Sequence, residues 1–134
     1  MSTRFELNST RREFVRVQTD IPVRYKFLSK EIDLGTDQIF EGTSNCLSGG
    51  GLLLYGRLPS LNWIPALLMS KIHLGINLLL PSSDEPVKAL CACSWFEEIP
   101  EGSERCTMGL RFENIEKEKQ DLILKYLIKA QMTK

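Results

Sequence analysis

The strongest constraint on the fold of this chain is a set of short segments in which apolar and polar side chains alternate. Residues 21–28, 88–96 and 105–112 each place apolar or aromatic side chains at every second position. Because successive side chains of a β-strand point to opposite faces, this period of two predicts strands with one buried face. The predicted buried faces comprise Ile21, Val23, Tyr25 and Phe27, then Ala89, Cys91, Cys93 and Trp95, then Cys106, Met108, Leu110 and Phe112.

Further strands are predicted between these segments. The chain offers three more candidates, at residues 38–46, 52–55 and 74–80. The Ser-Gly-Gly-Gly sequence at residues 48–51 must be a turn, because three glycines in a row are costly inside a helix or strand. Residues 56–71 have the apolar spacing of a short helix, and Pro65 argues against a long one.

An amphipathic helix is predicted at the end of the sequence, over residues 115–131. Its apolar stripe recurs at helical spacing and comprises Ile115, Leu122, Ile123, Tyr126, Leu127 and Ala130. Asn114 is a suitable N-cap. Six or seven short strands followed by one helix favour a β-barrel or a sandwich, with the apolar stripe of the helix covering an open edge or mouth.

Composition narrows the functional classes. The 134 residues suit one domain, and Lys plus Arg equals Asp plus Glu at 17 each, so a globally basic binder of nucleic-acid polymers is not expected. Residues 1–16 are polar and lack the apolar core of a signal peptide. The apolar stretch at residues 61–80 is interrupted by proline and polar residues, which argues against a membrane span. We therefore expect a cytoplasmic protein with reduced cysteines.

Two local features carry potential binding chemistry. In the first, a cation-rich segment, Arg12 and Arg16 lie four positions apart. Guanidinium groups bind phosphate and the Hoogsteen edge of guanine through paired donors, although a solvated linker is the commoner explanation of such a segment. The second is the glycine turn, defined here as residues 48–51, whose backbone amides can approach an anion closely. A simple hairpin turn is again the commoner explanation.

Taken in order along the chain, these features resemble the PilZ domain family. The matching pattern is Arg-x-x-x-Arg at residues 12–16, Pro-Val-Arg-Tyr at residues 22–25, and Ser-x-x-Gly at residues 48–51 followed by three leucines. The Gly-Leu-Arg-Phe strand at residues 109–112 and the closing helix extend the resemblance over residues 11–130.

The resemblance implies a mainly β fold, a six-stranded antiparallel β-barrel with a C-terminal helix. Residues 11–131 would form this single domain after a flexible arm at residues 1–10. It also implies a receptor for the bacterial messenger cyclic di-GMP, with no cofactor and no catalysis, acting through a downstream protein in motility or biofilm regulation. The ligand-binding residues that it indicates are Arg11, Arg12, Arg16, Asn45, Cys46, Ser48, Gly50 and Gly51. In the family the two arginines of the motif contact guanine and phosphate, and we expect the arm to close over the ligand against the glycine turn.

One position departs from the family's second motif, Asp or Asn-x-Ser-x-x-Gly. Cys46 stands at the Asp or Asn position, and a thiol is a weak hydrogen-bond partner. Losing one such contact costs about 1–3 kcal/mol, or roughly one to two decades of affinity. Asn45 lies next to it, and a one-residue bulge would bring Asn45 into the site. The alternative function is therefore a PilZ-like protein-interaction module that binds the nucleotide weakly or not at all.

The remaining residues favour no competing site. Cys91 and Cys93 share a predicted face with Trp95, which favours buried thiols over zinc ligands. His73 is the only histidine, and no nucleophile or carboxylate can be identified beside it from the sequence, so an enzyme is the least expected class. A barrel that binds single-stranded nucleic acid needs a basic groove lined with aromatics, which the neutral charge and 8% aromatic content disfavour. Trp63 suits either the core or an exposed docking patch.

Overall fold

The described part of the chain forms six strands, one long helix and a short helical connection. The computed structural model describes residues 16–35, 37–81, 83–98 and 105–132, and the arm predicted at residues 1–10 lies outside them. The strands are β1 (Arg16–Leu28), β2 (Phe40–Ser48), β3 (Gly51–Arg57), β4 (His73–Leu78), β5 (Val87–Glu98) and β6 (Arg105–Ile115). A 3-10 turn (Leu61–Trp63) and helix α1 (Ile64–Leu68) connect β3 to β4, and helix α2 (Lys117–Met132) follows β6.

The strands close into a barrel in the order β1-β2-β3-β6-β5-β4. Every neighbouring pair is antiparallel, including β1 with β4, which completes the ring. Closure leaves no unpaired strand edge among these six strands, so the backbone groups of each strand find partners on both sides. The predicted six-stranded antiparallel barrel with a C-terminal helix is thus confirmed.

Tyr25 shows how the alternating residues of β1 fill the barrel. Its ring is buried, stacked on Phe40 at 5.5 Å between centroids and edge-on to Phe27 at 5.7 Å. Its hydroxyl accepts a hydrogen bond from the Arg57 amide at 2.7 Å and donates to the Arg57 carbonyl at 3.0 Å. Burial raises the pKa of Tyr25 to about 12, so the hydroxyl stays protonated and keeps donating. This pair of bonds ties β1 to the end of β3.

The two ends of the barrel are closed by different elements. At one end lie the start of β1, the β2–β3 hairpin and the end of β6. Helix α2 lies against β1, β2 and β5 and buries Ile123 and Leu127 in the core. At the other end the connection between β3 and β4 buries Leu67, and Trp63 packs edge-on against Phe27 with 5.1 Å between ring centroids. Trp63 is therefore a partly buried core neighbour.

The prediction that Trp95 shares the buried face of β5 with Cys91 and Cys93 is wrong. The register against β6 shifts between Cys93 and Trp95, so Ser94 is an extra residue on β5. A bulge of one residue reverses which face the following side chains occupy. Trp95 therefore lies over Gly109 on the outer side of the barrel, and Phe96 packs against the core in its place.

The start of the C-terminal helix also differs from the prediction. Asn114 is not an N-cap, because β6 continues to Ile115 and Asn114 pairs with Leu90 of β5. Helix α2 begins at Lys117, with Glu118 in its first turn and a lysine in its last turn, as the helix dipole favours.

The thiols at residues 91 and 93 are buried inside the barrel, as predicted. Burial raises the pKa of Cys91 to about 12 and that of Cys93 to about 11, so both stay protonated near neutral pH. Within the described ranges, no cluster of three or more His, Cys, Asp or Glu side chains has the arrangement of a metal site. None of the helices in those ranges has the length and apolar character that crossing a membrane requires.

Candidate functional site

The glycine turn is the hairpin connection between β2 and β3. Ser48 is the last residue of β2 and Gly51 the first of β3, which leaves a two-residue loop. The Ser48 hydroxyl accepts hydrogen bonds from the amides of Gly50 and Gly51, each at 3.2 Å, and donates to the Gly51 carbonyl at 3.2 Å. The two amides are thus already engaged within the turn. The turn therefore does not offer these two amides as free donors to an anion.

The arginine motif ends directly beside this turn. Arg16 is the first residue of β1, and its Cα is paired with that of Ser48 in the β1–β2 register. The following pairs are Val17 with Leu47 and Gln18 with Cys46. Two features that are 32 positions apart in the sequence therefore share one end of the barrel. Arg11, Arg12 and the Arg16 side chain lie outside the described part of the chain, so their predicted contacts stay predictions.

Strand β2 has a bulge at Asn45. Its register against β3 shifts between Ser44 and Cys46, so Asn45 is the extra residue. Its register against β1 shifts at the same level, between Gln18 and Ile21. The bulge lies three residues before the glycine turn, on the side where β1 begins.

The Asn45 side chain is an unusual feature of this bulge. Its Oδ1 atom is buried and has no hydrogen-bond partner among the residues that the structure describes. Burying an unsatisfied polar atom costs about 1–3 kcal/mol, so such atoms are rare and call for an explanation. Cys46, at the Asp or Asn position of the motif, is half-buried in β2 and pairs with Leu53 of β3.

Gly51 is required by close packing. A Cβ at this position would collide with the carbonyl oxygen of Leu110 and would lie 3.0 Å from the Cα of Arg111 on β6. Both obstacles are backbone atoms, which cannot rotate away. The glycine of the Ser-x-x-Gly pattern therefore lets β3 approach β6 directly after the turn.

Two contacts to the turn could not be predicted from the sequence. The Gly50 carbonyl accepts a hydrogen bond from the Phe112 amide at 2.9 Å, and the Gly49 carbonyl accepts one from Gln120 Nε2 at 2.8 Å. Gln120 stands 71 positions away from Gly49. The expected helix after the Gly-Leu-Arg-Phe strand was the only signal that this part of the chain would come near the turn.

A family model, the PilZ domain, matches residues 10–129. The chain belongs to the PilZ domain family. The match includes the arginine motif, the glycine turn and most of α2. PilZ domains are regulatory receptor or adaptor domains. A search of curated proteins finds no sequence match.

Solved structures share the fold of this PilZ domain. The Bacillus subtilis inhibitor of motility MotI/DgrA superposes with a TM-score of 0.67 at 21% identity, over 92% of this chain and 52% of that chain. The PilZ domain of Escherichia coli YcgR with cyclic di-GMP gives 0.60 at 11% identity, over 92% and 93%. PlzA of Borreliella burgdorferi in complex with cyclic di-GMP gives 0.51 at 11% identity, over 99% and 58%. This chain spans about half the length of MotI/DgrA, and at these identities the similarity shows the fold alone.

Proposed function

We propose that this PilZ domain is a cytoplasmic receptor for cyclic di-GMP that binds the nucleotide between its arginine segment and the glycine turn. The observation that carries the proposal is the pairing of Arg16 with Ser48 in the β1–β2 register. It puts the last residue of the Arg-x-x-x-Arg motif beside the first residue of the Ser-x-x-Gly motif. Solved PilZ structures with the same fold hold cyclic di-GMP, which supports this choice of ligand.

Every predicted ligand-binding residue except Cys46 has a part in this proposal. Arg12 and Arg16 bind a guanine and a phosphate through their paired guanidinium donors, and Arg11 adds positive charge. The half-buried Ser48 and Gly50 form the surface on which a guanine rests, and the buried Gly51 holds this surface close to β6. Gly50 has no side chain, so a planar base can approach the turn closely.

Asn45 takes the place of the motif's missing acidic or amide residue. Its Oδ1 is buried and unsatisfied in the described structure, so the side chain turns toward the ligand on binding and accepts a hydrogen bond from an N–H group on the guanine edge. Because of the bulge in β2, Asn45 stands outside the regular pairing with β3, whereas Cys46 keeps its partner Leu53.

The signal in this proposal is an ordering of the N-terminal arm. The two phosphates of the ligand compensate several like charges on residues 1–16, and these contacts exist only in the closed state. A ligand shifts a conformational equilibrium by its differential affinity for the two states. The closed arm and the adjoining barrel surface then form what a downstream protein recognises.

The experiment that tests the proposal is isothermal titration calorimetry of the full chain with cyclic di-GMP and, as a control, cyclic di-AMP. We expect micromolar or tighter binding of cyclic di-GMP. Cyclic di-AMP should bind at least about tenfold more weakly, because adenine presents a different donor and acceptor pattern. An absence of heat with either nucleotide would contradict the proposal. It would favour a protein-interaction module whose nucleotide site was lost with the change to Cys46.

Replacing Asn45 with alanine should separate its binding role from its structural role. The variant removes a buried unsatisfied acceptor, so its free energy of unfolding should equal or exceed that of the wild type. Its affinity for cyclic di-GMP should fall by roughly 10- to 100-fold. Urea unfolding and calorimetry measure the two quantities.

A Cys46→Asn variant is the matched comparison for Asn45→Ala. It restores the motif at the family's own position and should tighten binding. If Asn45→Ala binds as tightly as the wild type, the bulge does not supply the acceptor.

A further inference from the structure

Every glycine carbonyl of the turn is held by a hydrogen bond. The Gly51 carbonyl accepts from Ser48 Oγ at 3.2 Å, the Gly50 carbonyl from the Phe112 amide at 2.9 Å and the Gly49 carbonyl from Gln120 Nε2 at 2.8 Å. Glycine has more backbone freedom than any other residue, so an untied run of three would sample many conformations. The three bonds therefore define the surface that the turn presents.

These three bonds come from different parts of the barrel. Two are made by the hairpin itself or by the adjacent strand β6, which the barrel holds in place in any case. The third comes from a side chain in the first turn of α2, whose position depends on how that helix docks. Helix α2 is held by the burial of Ile123 and Leu127, and the Gln120 amide is bonded to the Glu116 carbonyl at 2.9 Å. Gln120 is thus fixed at its backbone and reaches the turn with its side chain.

We propose that Gln120 is a positioning residue of the nucleotide site, which presets the glycine turn for the ligand and couples ligand binding to the docking of α2. This inference rests on the proposed function. Holding the turn in one conformation removes an ordering cost that would otherwise be met on binding. By linkage, the factor by which docked α2 strengthens nucleotide binding is the factor by which the nucleotide stabilises docked α2.

The first test compares Gln120→Ala with Lys125→Ala, an exposed position five residues further along the same helix. Gln120→Ala should bind cyclic di-GMP roughly 2- to 10-fold more weakly, the range expected for one hydrogen bond. Hydrogen exchange at the Gly50 and Gly51 amides should be faster in this variant without ligand. Lys125→Ala should match the wild type in both measurements.

A Gln120→Glu variant adds a pH dependence that a merely structural role would not produce. At neutral pH its carboxylate has no donor and faces the Gly49 carbonyl oxygen, so binding is weakened. Below the ordinary carboxyl pKa of about 4.3 the protonated group donates again. The affinity of Gln120→Glu relative to the wild type, measured in the same buffers, should therefore approach one as the pH falls from 7 to 4.

The outcomes separate this inference from the proposed function. Wild-type protein that binds no cyclic di-GMP refutes the proposed function and the positioning role together. The positioning role alone is refuted if the wild type binds cyclic di-GMP and Gln120→Ala shows the same affinity and the same hydrogen exchange at the turn amides. Exchange in α2 that slows on ligand addition in the wild type, and slows less in Gln120→Ala, supports the coupling.

Discussion

The double variant Arg12→Ala/Arg16→Ala should lose almost all affinity for cyclic di-GMP while folding as the wild type does. In the proposed complex each arginine donates hydrogen bonds to a charged or strongly polar group of the ligand, and such bonds contribute about 1.5–3 kcal/mol each. Losing two of them weakens binding by roughly 10²- to 10⁴-fold. Arg12 precedes the barrel strands and Arg16 is the first residue of β1, and neither position belongs to the core of the described residues. Calorimetry measures the affinity, and thermal unfolding measures the stability.

The matched control for this variant is Arg24→Ala/Lys26→Ala. It also removes two positive charges from the N-terminal part of the chain, and both residues lie further along β1, away from the glycine turn. Arg24 forms an ion pair with Glu41 at 3.7 Å in which both side chains are exposed, and such pairs contribute little to stability. The control should keep wild-type affinity. If the two double variants lost affinity for cyclic di-GMP equally, Arg12 and Arg16 would act only through overall charge.

A Gly51→Ala variant should be strongly destabilised. The added methyl group collides with the backbone of β6 at Leu110, where the β3–β6 pairing begins. Forcing extra atoms into close-packed structure costs about 1–3 kcal/mol, and more where the neighbours cannot rotate. For a domain of this size, that lowers Tm by roughly 4–12 °C. The variant should also bind cyclic di-GMP more weakly, since the carbonyl of residue 51 is bonded to Ser48.

A Gly75→Ala variant tests whether a methyl group added at any strand glycine destabilises the barrel. A Cβ at Gly75 would lie 3.1 Å from Cδ1 of Leu28, the end of a flexible side chain that can move. We expect a small change in Tm for Gly75→Ala. A Gly51→Ala protein as stable as Gly75→Ala would show that β3 and β6 can separate locally, and would contradict the packing argument.

The barrel could be predicted because the alternation of apolar and polar residues is a local signal that recurs in several strands. Alternation in β1 and β6 depends only on the residues of each strand, and the buried faces at Tyr25 and Met108 match it. The order of the arginine motif, the glycine turn and the closing helix then indicated the PilZ family. That order carried more information than any one of the motifs, since each alone has a commoner explanation.

The parts that could not be predicted depend on neighbouring strands. Ser94 and Asn45 are bulged because of how β5 meets β6 and how β2 meets β3. No local pattern in the sequence marks the bulge at Ser94, whereas the departure of Cys46 from the family motif had suggested a bulge beside it, which the register of β2 against β3 places at Asn45. The bulge at Ser94 moved Trp95 from the predicted inner face to the outer one. The contact between Gln120 and Gly49 joins residues 71 positions apart, so it follows from how α2 docks and not from either sequence segment.

The central claim is that the arginine segment and the glycine turn converge on cyclic di-GMP at one end of the barrel. The most direct test is a titration of ¹⁵N-labelled protein with cyclic di-GMP, followed through the ¹H–¹⁵N correlation spectrum. We expect changes in the amide signals of residues 11–20 and 45–51 and in the side-chain amide of Gln120. The signals of residues 61–71 at the opposite end should not move. A spectrum that is unchanged at saturating nucleotide, or changes centred on residues 61–71, would contradict the central claim.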